Sequence, residues 1–180
     1  MANAQIWIPK RLVELGLLNV AAIQPAAFVA YCESDYHTRI AAAVTDILHS
    51  GVKVVMLTGP SASGKTTTAH KISAEVKARG IHSAVISLDN FFKNVEDYPL
   101  LPDGTADYES VDALDINGIN TALLSLIRTG KTCVPDFDFC REVRRQGTLA
   151  VEVGEGIVII EGIHALNPRL TALLPRDSVY

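Results

Sequence analysis

Apolar positions along the chain follow first a helical and then an alternating helix-and-strand rhythm. Phe28, Cys32, Ile40, Val44, Ile47 and Leu48 recur at close to helical spacing, with a slip in register near Asp35. Pro25 suits the first turn of that helix, and His49-Ser50-Gly51 ends it. Val52–Leu57 is a short valine-rich run that predicts a buried parallel strand. Thr66–Arg79 predicts a helix closed by Gly80, and His82–Leu88 a second apolar strand. Phe91–Asp107, rich in Pro, Gly and Asp, reads as a long loop of the kind that often carries function. Val111–Arg128 predicts a helix ending near Gly130, and Thr148–Val153 one strand of a hairpin. Ile157–Ile160 is a fully apolar strand running into Glu161-Gly162, and Asp177–Tyr180 reads as the opening of a further strand.

Strands alternating with helices predict an α/β fold, with a mostly parallel sheet flanked by helices and a small hairpin insertion. Residues 1–24 form a lead-in of no assigned fold, and residues 25–180 form one domain, expected to continue beyond Tyr180. The chain has 180 residues, 48% of them hydrophobic and 20% charged, enough to bury a core without disulfides. A net charge of −4 gives no basic field for nucleic acid or an anionic membrane, so neither is expected as a partner. The three cysteines, Cys32, Cys133 and Cys140, form no C-x-x-C pair, which argues against a disulfide framework or zinc site and for a reducing cytoplasm.

Gly59-Pro60-Ser61-Ala62-Ser63-Gly64-Lys65-Thr66 matches the phosphate-binding pattern G-x-x-x-x-G-K-[ST] in full, after a predicted strand and before a predicted helix. Glycines let backbone N–H groups curl inward toward phosphate oxygens, and the helix N-terminus adds partial positive charge. Lys65 is placed to reach the β- and γ-phosphates, and the Thr66 hydroxyl to ligate Mg²⁺. Thr67 completes the nucleotide-binding segment. This pattern defines a P-loop NTPase fold.

Ligands of open α/β sheets bind beyond the carboxyl ends of the strands. Two of those ends carry acids, Asp89 after the second predicted strand and Glu161 after the last. Asp89 can act as general base toward an acceptor hydroxyl, and Glu161 can hold the Mg²⁺ shell. Either acid on its own could equally cap the next turn. Beside a phosphate loop, both point to phosphoryl transfer.

These residues resemble the uridine kinase and phosphoribulokinase family from about Val52 to Leu173. Ser87-Leu88-Asp89-Asn90-Phe91-Phe92 looks like its strand end with the catalytic aspartate. Asp107–Asp115 looks like its acceptor-side segment, Pro135-Asp136-Phe137-Asp138-Phe139 with Arg144 like its hairpin, and Ile159–Leu166 like its E-G-I-x-A-L segment. The resemblance implies transfer from ATP or GTP to a hydroxyl of a nucleoside or related small molecule. Asp89 would be the base. Glu109 would bind sugar hydroxyls, Phe137 and Phe139 would line the acceptor pocket, and Arg144 would contact the acceptor or stabilise the hairpin. Family uridine kinases carry a histidine at Glu142, tyrosines at Phe92 and Phe137 and an aspartate at Glu109, so the acceptor's identity is left open. Phe28–Gly51 is similar to the helix entering the kinase domain of longer bacterial uridine-kinase-like proteins, which carry a threonyl-tRNA-synthetase-like region ahead of it. The family's arginine-bearing lid lies beyond its E-G-I segment, so these 180 residues are expected to bind nucleotide and transfer phosphate poorly.

The alternative is a nucleotide-binding or regulatory P-loop module without transfer activity. Arg141 and Arg145 read as solvated hairpin charges, and the five histidines show no metal-ligand spacing. Phe91, Phe92, Tyr98 and Tyr108 suit either base stacking or loop anchoring. A homo-oligomer is compatible with the chain.

Overall fold

The computed structural model describes residues 25–180 and positions 16, 19 and 23, without the side chains of 146–148. The lead-in at residues 1–24 otherwise lies outside the described residues. Helix α1 is Pro25–Ser50, continuous through the register slip at Asp35. Its buried seam is Ile40, Val44 and Ile47, spaced by one turn each. Strand β1 (Val54–Leu57) feeds the phosphate loop, which opens α2 (Lys65–Ala78). Strand β2 (Ser83–Ser87) runs directly into a one-turn 3₁₀ segment, Leu88–Phe91.

The segment expected as one helix from Val111 is divided. Val111–Ala113 is a 3₁₀ turn, and α3 spans Ile116–Thr129. Two competing caps explain the break. Ser110 accepts from the N–H of Asp112, and Asp115 accepts from the N–H of Gly118 at 2.8 Å. The second of these fixes the true N-terminus of the helix. Strands β3 (Lys131–Asp138) and β4 (Val143–Glu152) form an antiparallel hairpin, longer than the predicted Thr148–Val153, and β5 is Ile157–Glu161. The hairpin register shifts between Val134 and Asp136, where Pro135 has no N–H to give to the ladder.

The central sheet is parallel, in the order β1-β5-β2. Val179 bridges Val54 in parallel, and the N–H groups of Lys53 and Met56 donate to the carbonyls of Ser178 and Tyr180. Asp177 and Ser178, expected to open a strand, instead form the 3₁₀ turn Arg176–Ser178, and only the last residues run beside β1. Two apolar layers sandwich this sheet. One side packs Val55, Ile157 and Ile159 against α1 and α2, and the other packs Val54, Val158 and Ile160 against α3 and the hairpin. Every residue of β5 is buried, which is why Ile157–Ile160 is apolar without alternation. Each fully buried valine or isoleucine contributes about 1.5–3 kcal/mol.

Registry decides what meets at the C-terminal edge. Glu161 pairs with Leu57 on one side and with Ser87 on the other. The last residue of the central strand therefore lies between the entrance to the phosphate loop and the turn that carries Asp89. Gly162 lets this edge close, because a Cβ there would sit 2.8 Å from Cβ of Leu88.

Candidate active site

The phosphate loop is shaped by its backbone. Ala62 and Gly64 have φ of 58° and 83°, and Gly64 precedes the first residue of α2. Only glycine adopts that left-handed conformation freely, so Gly64 is required where the loop turns into the helix. Lys65 folds back so that its Nζ donates to the carbonyl of Pro60 at 2.9 Å. The Thr66 hydroxyl donates to Oε1 of Glu161 at 3.2 Å.

A cleft of about 230 Å³ opens at this edge of the sheet, lined by Thr66, Ser87, Asp89, Asn90, Asp136, Phe137, Phe139 and Glu161. It joins the two halves of the sequence expectation. Thr66, Asp89 and Glu161 share this cleft with Phe137 and Phe139. Glu161 is only 4% exposed. Desolvation of Asp89 in the cleft, together with the nearby Glu161 carboxylate, raises its pKa above the ordinary aspartate value, and Lys65 pulls the other way. Thr66 and Glu161 offer a neutral hydroxyl and a carboxylate side by side, an all-oxygen donor pair that suits Mg²⁺.

An aromatic cluster adjoins the cleft. Phe92 lies 5.6 Å from Phe137 and 6.4 Å from Phe139, and the latter two meet edge-on at 4.9 Å between ring centroids. Tyr98 stacks obliquely on Phe92 and edge-on to Tyr108. Burial pushes the Tyr98 phenol up to about 12, helped by Tyr108, Glu142 and Asp89, so it stays a protonated donor.

Two expected acceptor residues are placed outside the cleft lining. Glu109 is exposed; its N–H is held by Asp107 and its carbonyl oxygen by His164 Nε2 at 2.8 Å. Arg144 turns to Asp115 instead, with Nη1 2.7 Å from Oδ2, and its backbone N–H donates to Asn94 Oδ1 at 3.1 Å. Of the two roles implied for Arg144, the geometry supplies hairpin stabilisation. Partial burial pushes the Asp115 carboxyl up, but the Gly118 N–H and then Arg144 outweigh it and hold the carboxyl below the usual aspartate range. Arg145 and Arg141 likewise pair with Asp138. Cys133 and Cys140 are exposed.

Three lining residues were not singled out from sequence: Ser87, Asn90 and Asp136. Asn90 follows Asp89 directly, and its Nδ2 donates to the Pro135 carbonyl at 3.2 Å, tying the Asp89 turn to the hairpin. Asp136 lies in the hairpin motif, at a position whose residue type carried no signal.

The model of the phosphoribulokinase / uridine kinase family matches residues 54–174, and the chain belongs to that family. It is 30% identical over 111 residues to a uridine kinase of Halobacterium salinarum, covering 62% of this chain and 48% of that one. It is 35% identical over 127 residues to a uridine kinase of Schizosaccharomyces pombe, covering 68% of this chain and 27% of the other. The chain thus spans about half the length, or less, of these curated relatives. A solved structure described as a possible uridine kinase from Bacillus stearothermophilus superposes with a TM-score of 0.63 at 20% identity, covering 77% of each chain, and shares the fold. The matched stretch includes every expected site residue, and α1 precedes it.

Proposed function

We propose that this chain binds a magnesium nucleoside triphosphate on Gly59–Thr67 and transfers its γ-phosphoryl group to a hydroxyl of a nucleoside or related small molecule. The observation that carries the reading is one cleft that brings Asp89 together with Thr66 and Glu161 and with Phe137 and Phe139. The acceptor hydroxyl oxygen attacks the γ-phosphorus, the bond to the β–γ bridging oxygen breaks, and the hydroxyl proton passes to the Asp89 carboxylate. Backbone N–H groups of the loop and the Lys65 ammonium hold the phosphates, and the work is mostly positioning and charge stabilisation. Magnesium, when bound, neutralises phosphate charge; the Thr66 hydroxyl and the Glu161 carboxylate are the groups that would hold it. Burial and the Glu161 carboxylate raise the pKa of Asp89, which makes its carboxylate a stronger base toward the acceptor hydroxyl.

Phe137 and Phe139 would flank a flat ring of the acceptor. Glu109 and Arg144 act on the acceptor only if their loops rearrange around it. Residues 25–180 read as one kinase domain, and the 26 continuous residues of α1 fit the entry helix that the resemblance implies. The exposed thiols suit a reducing cytoplasm. No helix among the described residues is long and apolar enough to cross a membrane. The test is a transfer assay with γ-labelled ATP and GTP against a panel of nucleosides and sugars, run beside measurement of free phosphate. Label in an acceptor supports the kinase. Label only in free phosphate refutes it.

A further inference from the structure

The phosphate loop is braced by a residue outside the family-matched region. Helix α1 crosses α2 along a polar seam. Lys71 Nζ lies 3.0 Å from Glu33 and 4.5 Å above the Tyr36 ring, and Arg79 donates to Thr45 Oγ1 and to the Ala41 carbonyl, each at 2.8 Å. At the loop end of this seam, Tyr36 Oη lies 2.6 Å from Thr68 Oγ1. Thr68 Oγ1 itself donates to the carbonyl oxygen of Gly64 at 2.9 Å, and the Thr68 N–H reaches the same oxygen at 2.9 Å. A threonine hydroxyl has one proton. Since Thr68 spends it on Gly64, Tyr36 is the donor to Thr68. The result is a directed chain from the Tyr36 phenol through Thr68 to the Gly64 carbonyl.

The Gly64 carbonyl and the Lys65 N–H share one planar peptide unit and point in opposite directions. Whatever fixes the carbonyl on the α1 side fixes the direction of the Lys65 N–H on the loop side. Gly64 has φ of 83° and no side chain of its own to restrain it, so the orientation of this peptide rests on the hydrogen bonds to its carbonyl. Linked hydrogen bonds polarise one another, so the Tyr36 donation strengthens the hold of Thr68 on Gly64.

We propose that Tyr36 is a positioning residue for triphosphate binding, acting through Thr68 to orient the Gly64–Lys65 peptide. It makes α1 part of the nucleotide site although α1 lies outside the residues that match the family. This rests on the reading of Gly59–Thr67 as the phosphate site.

The test compares MgATP and adenosine by calorimetry on the parent, Tyr36→Phe and Val44→Ala. Val44 is a fully buried residue of α1 with no polar link to the loop. Tyr36→Phe removes one hydroxyl and is expected to weaken MgATP about 3–10-fold, the worth of one hydrogen bond, with adenosine affinity unchanged. Val44→Ala is expected to lower the unfolding temperature and leave MgATP affinity as in the parent. Equal MgATP affinity in Tyr36→Phe and parent would overturn the proposal while sparing the phosphate-site reading. So would a parallel loss for MgATP and adenosine, or an MgATP loss in Val44→Ala as large as in Tyr36→Phe, since either marks general loosening. A parent that does not bind MgATP would refute the phosphate-site reading, and the role of Tyr36 with it.

Discussion

The Thr66 hydroxyl donates to the Glu161 carboxylate across 3.2 Å, linking the first turn after the phosphate loop to the end of the central strand. Glu161 is buried there, and a buried carboxylate is kept at a stability cost unless it is paired or holds a cation. Glu161→Gln keeps an oxygen for Thr66 and removes the charge. Its expected effect is a drop of about 10-fold in the magnesium-dependent part of ATP affinity, with little change in metal-free binding. Titrations with and without magnesium measure both. Equal loss in the two conditions would mean that Glu161 does not serve the metal.

Lys65→Ala removes the cation nearest the phosphate loop. ATP affinity is expected to fall by at least about 10-fold and adenosine affinity to stay unchanged, because only ATP presents phosphates to the ammonium. Calorimetry on the two ligands tests the pair. Unaltered ATP binding would sink the assignment of the cradle.

Asp89 carries a raised pKa in the fold, so its ionised form is held less well there than in the unfolded chain. The sign follows from linkage. Above its folded pKa the Asp89 charge opposes folding, and that penalty fades as pH falls through the folded value toward the ordinary one. In chelator, Asp89→Asn is therefore expected to raise the unfolding temperature at neutral pH, with the gain vanishing in acid. Thermal melts across pH check this. A variant less stable than the parent at neutral pH would contradict the electrostatic account of the cleft.

Asp115 joins the α3 cap to the hairpin through Arg144. Asp115→Ala removes the cap and leaves a largely buried guanidinium, whose Nε is already without a partner, without its carboxylate. A loss of about 2 kcal/mol is expected in denaturant unfolding. The Asp115 pKa is lowered in the fold, so the pair's contribution is present above the ordinary aspartate value and is lost as pH falls through the folded one. The hairpin carries Phe137 and Phe139, so acceptor KM is expected to rise more than ATP KM. An equal rise in both would argue against a link confined to the acceptor side.

The three strands of the parallel sheet were legible because each is an apolar run too short for a helix, and β5 most of all because both its faces are covered. Strands β3 and β4 mix charged and apolar residues, and only part of β4 was legible. The phosphate loop was legible because backbone curling demands particular residues at fixed offsets. The start of α3 was not, since Ser110 and Asp115 both carry capping side chains and only the folded chain shows which one caps the helix. Contacts that span many residues left no local trace. Arg144 with Asp115, Asn90 with Pro135 and Tyr36 with Thr68 each depend on how the elements pack. Arg144 carried a motif signal, but the motif could not say whether its charge faces the acceptor or the fold.

The most direct test follows γ-phosphate from labelled ATP in single turnovers, with parent and Asp89→Asn side by side and a nucleoside panel as acceptors. Label is expected in an acceptor hydroxyl for the parent, even if slowly, and at least about 10²-fold more slowly for Asp89→Asn, with ATP affinity retained. Transfer at the parent rate in Asp89→Asn, or label released only as free phosphate by the parent, would contradict a kinase cleft built around Asp89.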